Sequence, residues 1–200
     1  MQEGEAGQEQ DVYAPPRAPV GYPRMATVVT EFHVVSLRKF WCLYLATFGL
    51  YQYFWLYRHW SQYRDSHRAS LWPVARSIFS IFFMHSLNRH VESSLRRSRL
   101  EHAWQPGVAA TGFVLLSLGS EILGRVTART DATTLLDYFV IALVLPIGMT
   151  MAATQRAANA ACRDPDGSAN ARLTAANWIW MVLGMMLWLL ILVGMTLPAE

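Results

Sequence analysis

Two hundred residues with a net charge of +3 leave room for one domain or a modest helical bundle. Hydrophobic residues make up 53% of the chain and charged residues only 16%, against about 25% charged in an ordinary soluble domain, and so little charge does not keep a whole folded surface in water. Two cysteines exclude a disulfide scaffold, the apolar content excludes a wholly disordered chain, and cations scattered between apolar runs exclude the continuous basic patch of a nucleic-acid binder.

The chain opens on an acidic stretch (Glu3, Glu5, Glu9, Asp11) followed by Pro15, Pro16, Pro19 and Pro23. A signal peptide needs a basic start and an apolar core, and this stretch has neither. Residues 1–33 are therefore expected to be a disordered or polyproline-II arm, and residues 34–200 a helical membrane domain.

The first apolar run, Phe40–Tyr57, holds 18 residues without a charge, flanked by Arg38, Lys39 and Arg58. This is near the minimum for a spanning helix, expected near 38–60, with basic flanks that snorkel into headgroups. The run is rich in aromatic residues. Tyr51 and Trp55 lie one turn apart, either as a stacking pocket for a headgroup or amphipathic solute, or as part of an interfacial aromatic belt. Thr47-Phe48-Gly49-Leu50-Tyr51, then Trp55-Leu56-Tyr57 and Trp60, with Pro73-Val74-Ala75-Arg76, Phe79 and Phe82-Phe83 beyond, resembles a signature of uncharacterised small bacterial membrane proteins of the domain-of-unknown-function type. The resemblance covers about a quarter of the chain. It implies a polytopic inner-membrane protein and brings no activity, ligand or catalytic residue with it.

The next stretch, Leu71–Asn88, carries Arg76 one turn in, with 12 clean residues from Ser77. It reads either as a spanning helix or as one lying in the interface, with Pro73 in its first turn. Arg76 is a candidate for gripping a phosphate or carboxylate, or for snorkelling. Arg89, Arg96, Arg97 and Arg99 follow in a helical stretch that reads as a cytoplasmic topology signal, with attraction for anionic lipid as its functional alternative.

Spanning helices are expected near 106–124 and 136–155. Glu121 and Asp137 fall at their facing ends, with Arg125 and Arg129 available as partners, so the four read as an interfacial salt-bridge cluster or as a proton or ion relay. Pro146 removes a donor and frees the carbonyl of Ala142, giving a static kink or a hinge. Gly148 with Ala152, and Ser120 with Gly124, allow close helix contact. The last run, Asn177–Leu197, is 21 residues without a charge, with Trp178 and Trp180 at its start. A helix near 177–197 rises about 30 Å, the thickness of a bilayer's hydrocarbon core.

The fold class is all-α: a polytopic membrane protein of four to five transmembrane helices, since continuous apolar runs do not suit a barrel. Five crossings from a cytoplasmic N-terminus put eleven cations inside and five outside; four crossings from an external one put eleven inside and six outside. The positive-inside rule barely separates the two. No zinc, Walker, Rossmann or nucleophile-elbow pattern is present in the sequence, so no cofactor or metal is expected. The expected role is a non-enzymatic structural or interaction component of the bacterial inner membrane. Its expected partners are the lipid bilayer and a second copy or an envelope protein, without nucleic acid. The alternative is a small-solute or ion transporter using Arg76, Glu121, Asp137 and the Pro146 kink. A lipid enzyme ranks last for want of a nucleophile.

Overall fold

The computed structural model describes residues 30–129 and 133–196. Most of the expected disordered arm lies outside the described residues. Its last positions do not belong to an arm: Phe32 is fully buried and His33 is 5% exposed, so the core begins before residue 34.

Helices α1 (Leu37–Ala46), α2 (Tyr51–His67), α3 (Pro73–Ile78) and α4 (Ser80–Arg97) form the first half. The second half is α5 (Pro106–Thr127), α6 (Leu135–Ala142), α7 (Val144–Ala161) and α8 (Ala175–Thr196). No strand occurs among the described residues. Three helices are long and apolar enough to cross a membrane: α5, α6 with α7 as one unit (Leu135–Ala161), and α8. Their starts follow local chemistry. Pro106 and Pro73 sit in first turns, where no amide partner is needed, and Thr134 with Asp137 closes a capping box on α6. Three residues before Pro146, where proline removes a donor, the helix lapses for one residue at Leu143 (φ −61°, ψ −18°) between α6 and α7.

The first apolar run is not one helix. It breaks at residues 47–50, and the two arms return to the same level. Ala46 and Thr47 meet α8 at Gly184, near its middle, while Lys39 at the start of α1 bonds Asn170 and Arg172 just before α8 begins. On the return, Trp55 and His59 of α2 meet Gln155, which also holds the carbonyl of His33. Helices α1 and α2 are thus a hairpin whose tip reaches the middle of α8. The chain from Leu71 is broken too: the ladder lapses at Phe79 (φ −91°, ψ 44°) between α3 and α4. Neither segment is one continuous helix.

Backbone groups at the tip find their partners inside the protein. Phe48 N–H donates to Leu45 O and Gly49 N–H to Tyr44 O, a Schellman closure of α1. Thr47 Oγ1 donates to Leu43 O and accepts from Tyr51 N–H, so one hydroxyl ends α1 and begins α2. Trp188 Nε1 donates to Leu45 O at 2.7 Å. Phe48 and Gly49 are both left-handed (φ +51° and +80°). For Phe48 this costs roughly 1–2 kcal/mol, offset by its edge-to-face contact with Trp188 at 4.8 Å.

Candidate functional site

Each backbone carbonyl from Phe32 to Val35 is held by a side chain from far along the chain. Cys162 Sγ donates to Phe32 O, Gln155 Nε2 to His33 O at 2.8 Å, Asn170 Nδ2 to Val34 O at 3.0 Å and Asn159 Nδ2 to Val35 O at 2.9 Å. Asn159 Oδ1 also accepts from Val35 N–H, so its amide pairs with both groups of one residue. Gln155 is the junction: Oε1 accepts from Trp55 Nε1 and from His59 Nε2, while Nε2 donates to His33 O and Asn159 Oδ1. A second clamp starts from Thr154, the residue before Gln155 on α7. Asn88 on α4 donates to Pro106 O at 2.9 Å and accepts from Thr154 Oγ1 at 3.0 Å, joining α4, α5 and α7. Gln155, Asn159, Asn88, Thr154 and His59 are all buried.

Gln155 fixes the His59 tautomer. Its carbonyl oxygen takes the Nε2 proton, which leaves Nδ1 as an unpartnered buried lone pair. Burial, reinforced by His33 nearby, holds His59 well below the ordinary histidine value. Burial, with Arg58 and Lys39 adding repulsion, holds His33 down at about 3. Both rings are neutral near pH 7, and a testable pH dependence follows. Stability is flat above the unfolded value of about 6.5. It falls as pH drops toward 3, because the unfolded chain takes up protons that the folded chain refuses. The expected slope is about 1.4 kcal/mol per pH unit for each histidine. Unfolding in mixed micelles between pH 7.5 and 4.5 measures it. His33→Phe keeps a ring in place and is expected to make the slope shallower; an unchanged slope would remove His33 from the account.

The sequence candidates are scattered. Trp55 is fully buried with its indole N–H taken by Gln155, so it is core rather than a pocket wall. Tyr51 does line a groove, described below. Arg76 lies with its guanidinium carbon 4.4 Å from the Trp60 ring and 4.9 Å from that of Phe83, a cation–π stack at the α2–α3–α4 junction. Glu121 is exposed on α5, and Asp137 is spent on capping, accepting from Thr134 N–H at 2.8 Å and Thr134 Oγ1 at 2.9 Å. The expected Glu121–Arg125 and Arg129–Asp137 pairs are not among the ion pairs of the described residues. Asp137 is instead taken up at the start of α6 by Thr134 and by the side chain of Thr127 at the end of α5. Around Pro146 the structure shows packing from α1. The kink is packed, with Tyr44 Oη donating to Val144 O at 3.1 Å and the rings of Tyr44 and Trp41 seated on Gly148.

Sequence reasoning passed over Gln155, Asn159, Asn88 and Thr154. Their signal is present: Gln155 and Asn159 are four apart, as amides on one face of a helix that is otherwise alanine-rich. No cluster of three metal-ligating side chains occurs among the described residues. Burial pushes the Cys162 thiol up to about 11, so it is a neutral donor and not a nucleophile.

The other feature of note is a groove of about 470 Å³ between the hairpin and α8. Leu43, Thr47, Leu50, Tyr51 and Phe54 form one wall, and Asn177, Trp180, Leu183, Gly184 and Leu187 the other. Comparison of the chain with protein-family models, with curated proteins and with solved structures gives no match.

Proposed function

We propose that this chain is a non-enzymatic integral membrane protein of the bacterial inner membrane, with three crossings and a hairpin that dips from an arginine-rich cytoplasmic face. In this reading it is a structural or interaction component that works through that face. One observation carries it: the segregation of charge. Let the near face be the one where α5 begins, α7 ends and α8 begins. Of the 17 cations, Arg17 and Arg24 precede the described residues, Arg125 and Arg129 fall on the far side, and the other 13 fall on the near side. Counts of eleven cations against five or six, when the broken segments served as crossings, become 13 against two when they do not. The buried polar groups also favour a structural role, since they are consumed by one another and by backbone. The transporter alternative loses its carboxylate pair, because Glu121 is exposed and Asp137 caps a helix.

Single-cysteine labelling with a membrane-impermeant maleimide tests this, in a chain whose Cys42 and Cys162 are replaced by serine. Ser70→Cys and Asp166→Cys are expected to label only after the cells are permeabilised, and Ala128→Cys in intact cells. Leu50→Cys, at the hairpin tip, is expected to label in neither. Labelling of position 70 in intact cells would place a true crossing between residues 37 and 67 and reject the hairpin.

A further inference from the structure

We propose that the groove between the hairpin and α8 seats one acyl chain of an anionic phospholipid from the near leaflet, with the lipid phosphate held by Arg58. The inference rests on the hairpin entering from the basic face.

Depth is the first argument. On α8 the groove runs from Ala176 to Leu187, eleven residues that rise about 16 Å at 1.5 Å per residue. Half of a hydrocarbon core about 30 Å thick is about 15 Å, so the groove is one leaflet deep and ends where an acyl chain ends. Its floor is the hairpin tip: Thr47 lies against Gly184, and Phe48 and Leu45 are held by Trp188.

The second argument is the lining. It is apolar and aromatic, and the tip hydroxyl in it, Thr47 Oγ1, is already occupied by Leu43 O and Tyr51 N–H. The lining carries no charged side chain, and its other hydroxyls are the phenols of Tyr51 and Tyr53, so an apolar chain fits its depth. At the upper end this changes. Asn177 Oδ1 is spent on Thr174 N–H and Oγ1, but its Nδ2 carries no hydrogen bond among the described residues, at the level where ester carbonyls lie.

Charge is the third argument. Arg58 follows Tyr51 by seven residues and Phe54 by four, so it continues the face of α2 that lines the groove. It sits about 12 Å above Leu50 along the helix, near the level where α8 begins. Arg58 acts on both Tyr51 and His33 through its charge. It is half-buried and forms no ion pair among the described residues. A cation at the mouth of an apolar slot one leaflet deep matches an anionic headgroup above an acyl chain.

Nanodiscs holding equal phosphatidylglycerol and phosphatidylcholine, followed by native mass spectrometry of the released protein, test the proposal. The unaltered chain is expected to retain one lipid, with phosphatidylglycerol favoured at least tenfold. Arg58→Gln is expected to cut that preference to threefold or less. Leu183→Trp, which fills the groove from an exposed position, is expected to abolish retention of either lipid, whereas Leu189→Trp, on α8 outside the groove, is expected to change nothing. Retention that survives Leu183→Trp, a preference that survives Arg58→Gln, or no retained lipid at all would overturn the proposal. Arg58→Gln removes the charge while keeping a polar side chain with part of the same stem, and it decides the headgroup question even if the tryptophan variant misfolds. Labelling at positions 50 and 70 reports separately on the hairpin, so a failed lipid seat and a failed topology are told apart.

Discussion

Gly184→Ala is expected to destabilise the protein by about 1–3 kcal/mol, although the same change in most helices stabilises. A Cβ at Gly184 would meet backbone, the Ala46 carbonyl oxygen and Thr47 Cα at 2.6 Å, and backbone does not rotate away. The two helices have to separate, which strains the Trp188–Leu45 bond and the Phe48–Trp188 contact at the same spot. Gly119 and Gly194 have nothing within 4 Å of their Cβ positions. Alanine at either is expected to gain about 0.5–1 kcal/mol from helix propensity alone. Gly148→Ala falls between, since its Cβ would meet the Tyr44 and Trp41 rings at 2.6–2.7 Å and rings yield more than backbone. Unfolding of the four variants in mixed micelles gives the order. Should Gly184→Ala behave like Gly119→Ala, the tip does not rest on α8.

Gln155→Leu is expected to be the most damaging single change in the core. Leucine fills a similar volume but strands the indole N–H of Trp55, the Nε2–H of His59 and the carbonyl of His33. A buried polar group without a partner costs about 1–3 kcal/mol, and three at one point consume much of a stability of about 5–15 kcal/mol. Loss of folded protein after detergent extraction is the expected result. Asn159→Leu, which strands both backbone groups of Val35, is expected to be nearly as severe. A Gln155→Leu protein with unaltered unfolding would mean that the hairpin is not anchored on α7.

Three of the expected helices were legible because length and composition decide them: α5, the α6–α7 unit and α8 each hold an 18-residue window apolar enough to cross a membrane. The interruption near Pro146 was legible because proline removes a specific hydrogen bond. The hairpin was not. Phe40–Tyr57 meets the length and charge requirements of a crossing. What turns it back is two consecutive left-handed residues, Phe48 and Gly49, together with an acceptor on α7 (Gln155) and a donor on α8 (Trp188) a hundred residues or more away. A window slid along the chain sees neither. The Thr47–Tyr51 signature was noticed as a pattern, and its meaning is mechanical: Thr47 ends one helix and starts the next, while Phe48 and Gly49 supply the reversal. Of the candidate residues, Arg76, Glu121 and Asp137 were singled out for carrying charge near a membrane. The groups that organise the core are neutral amides, whose role depends on what faces them.

The pairing of the Phe32–Val35 carbonyls with residues 155–170 has a consequence for biogenesis. Trp55 and Gln155 are 100 positions apart. At about 5–20 residues per second, the ribosome releases the hairpin roughly 5–20 s before its acceptors exist. During that interval the indole N–H of Trp55 and the carbonyls of Phe32–Val35 lack the partners that hold them in the folded chain. Assembly therefore runs backwards relative to synthesis, with the last helices made deciding where the first ones rest.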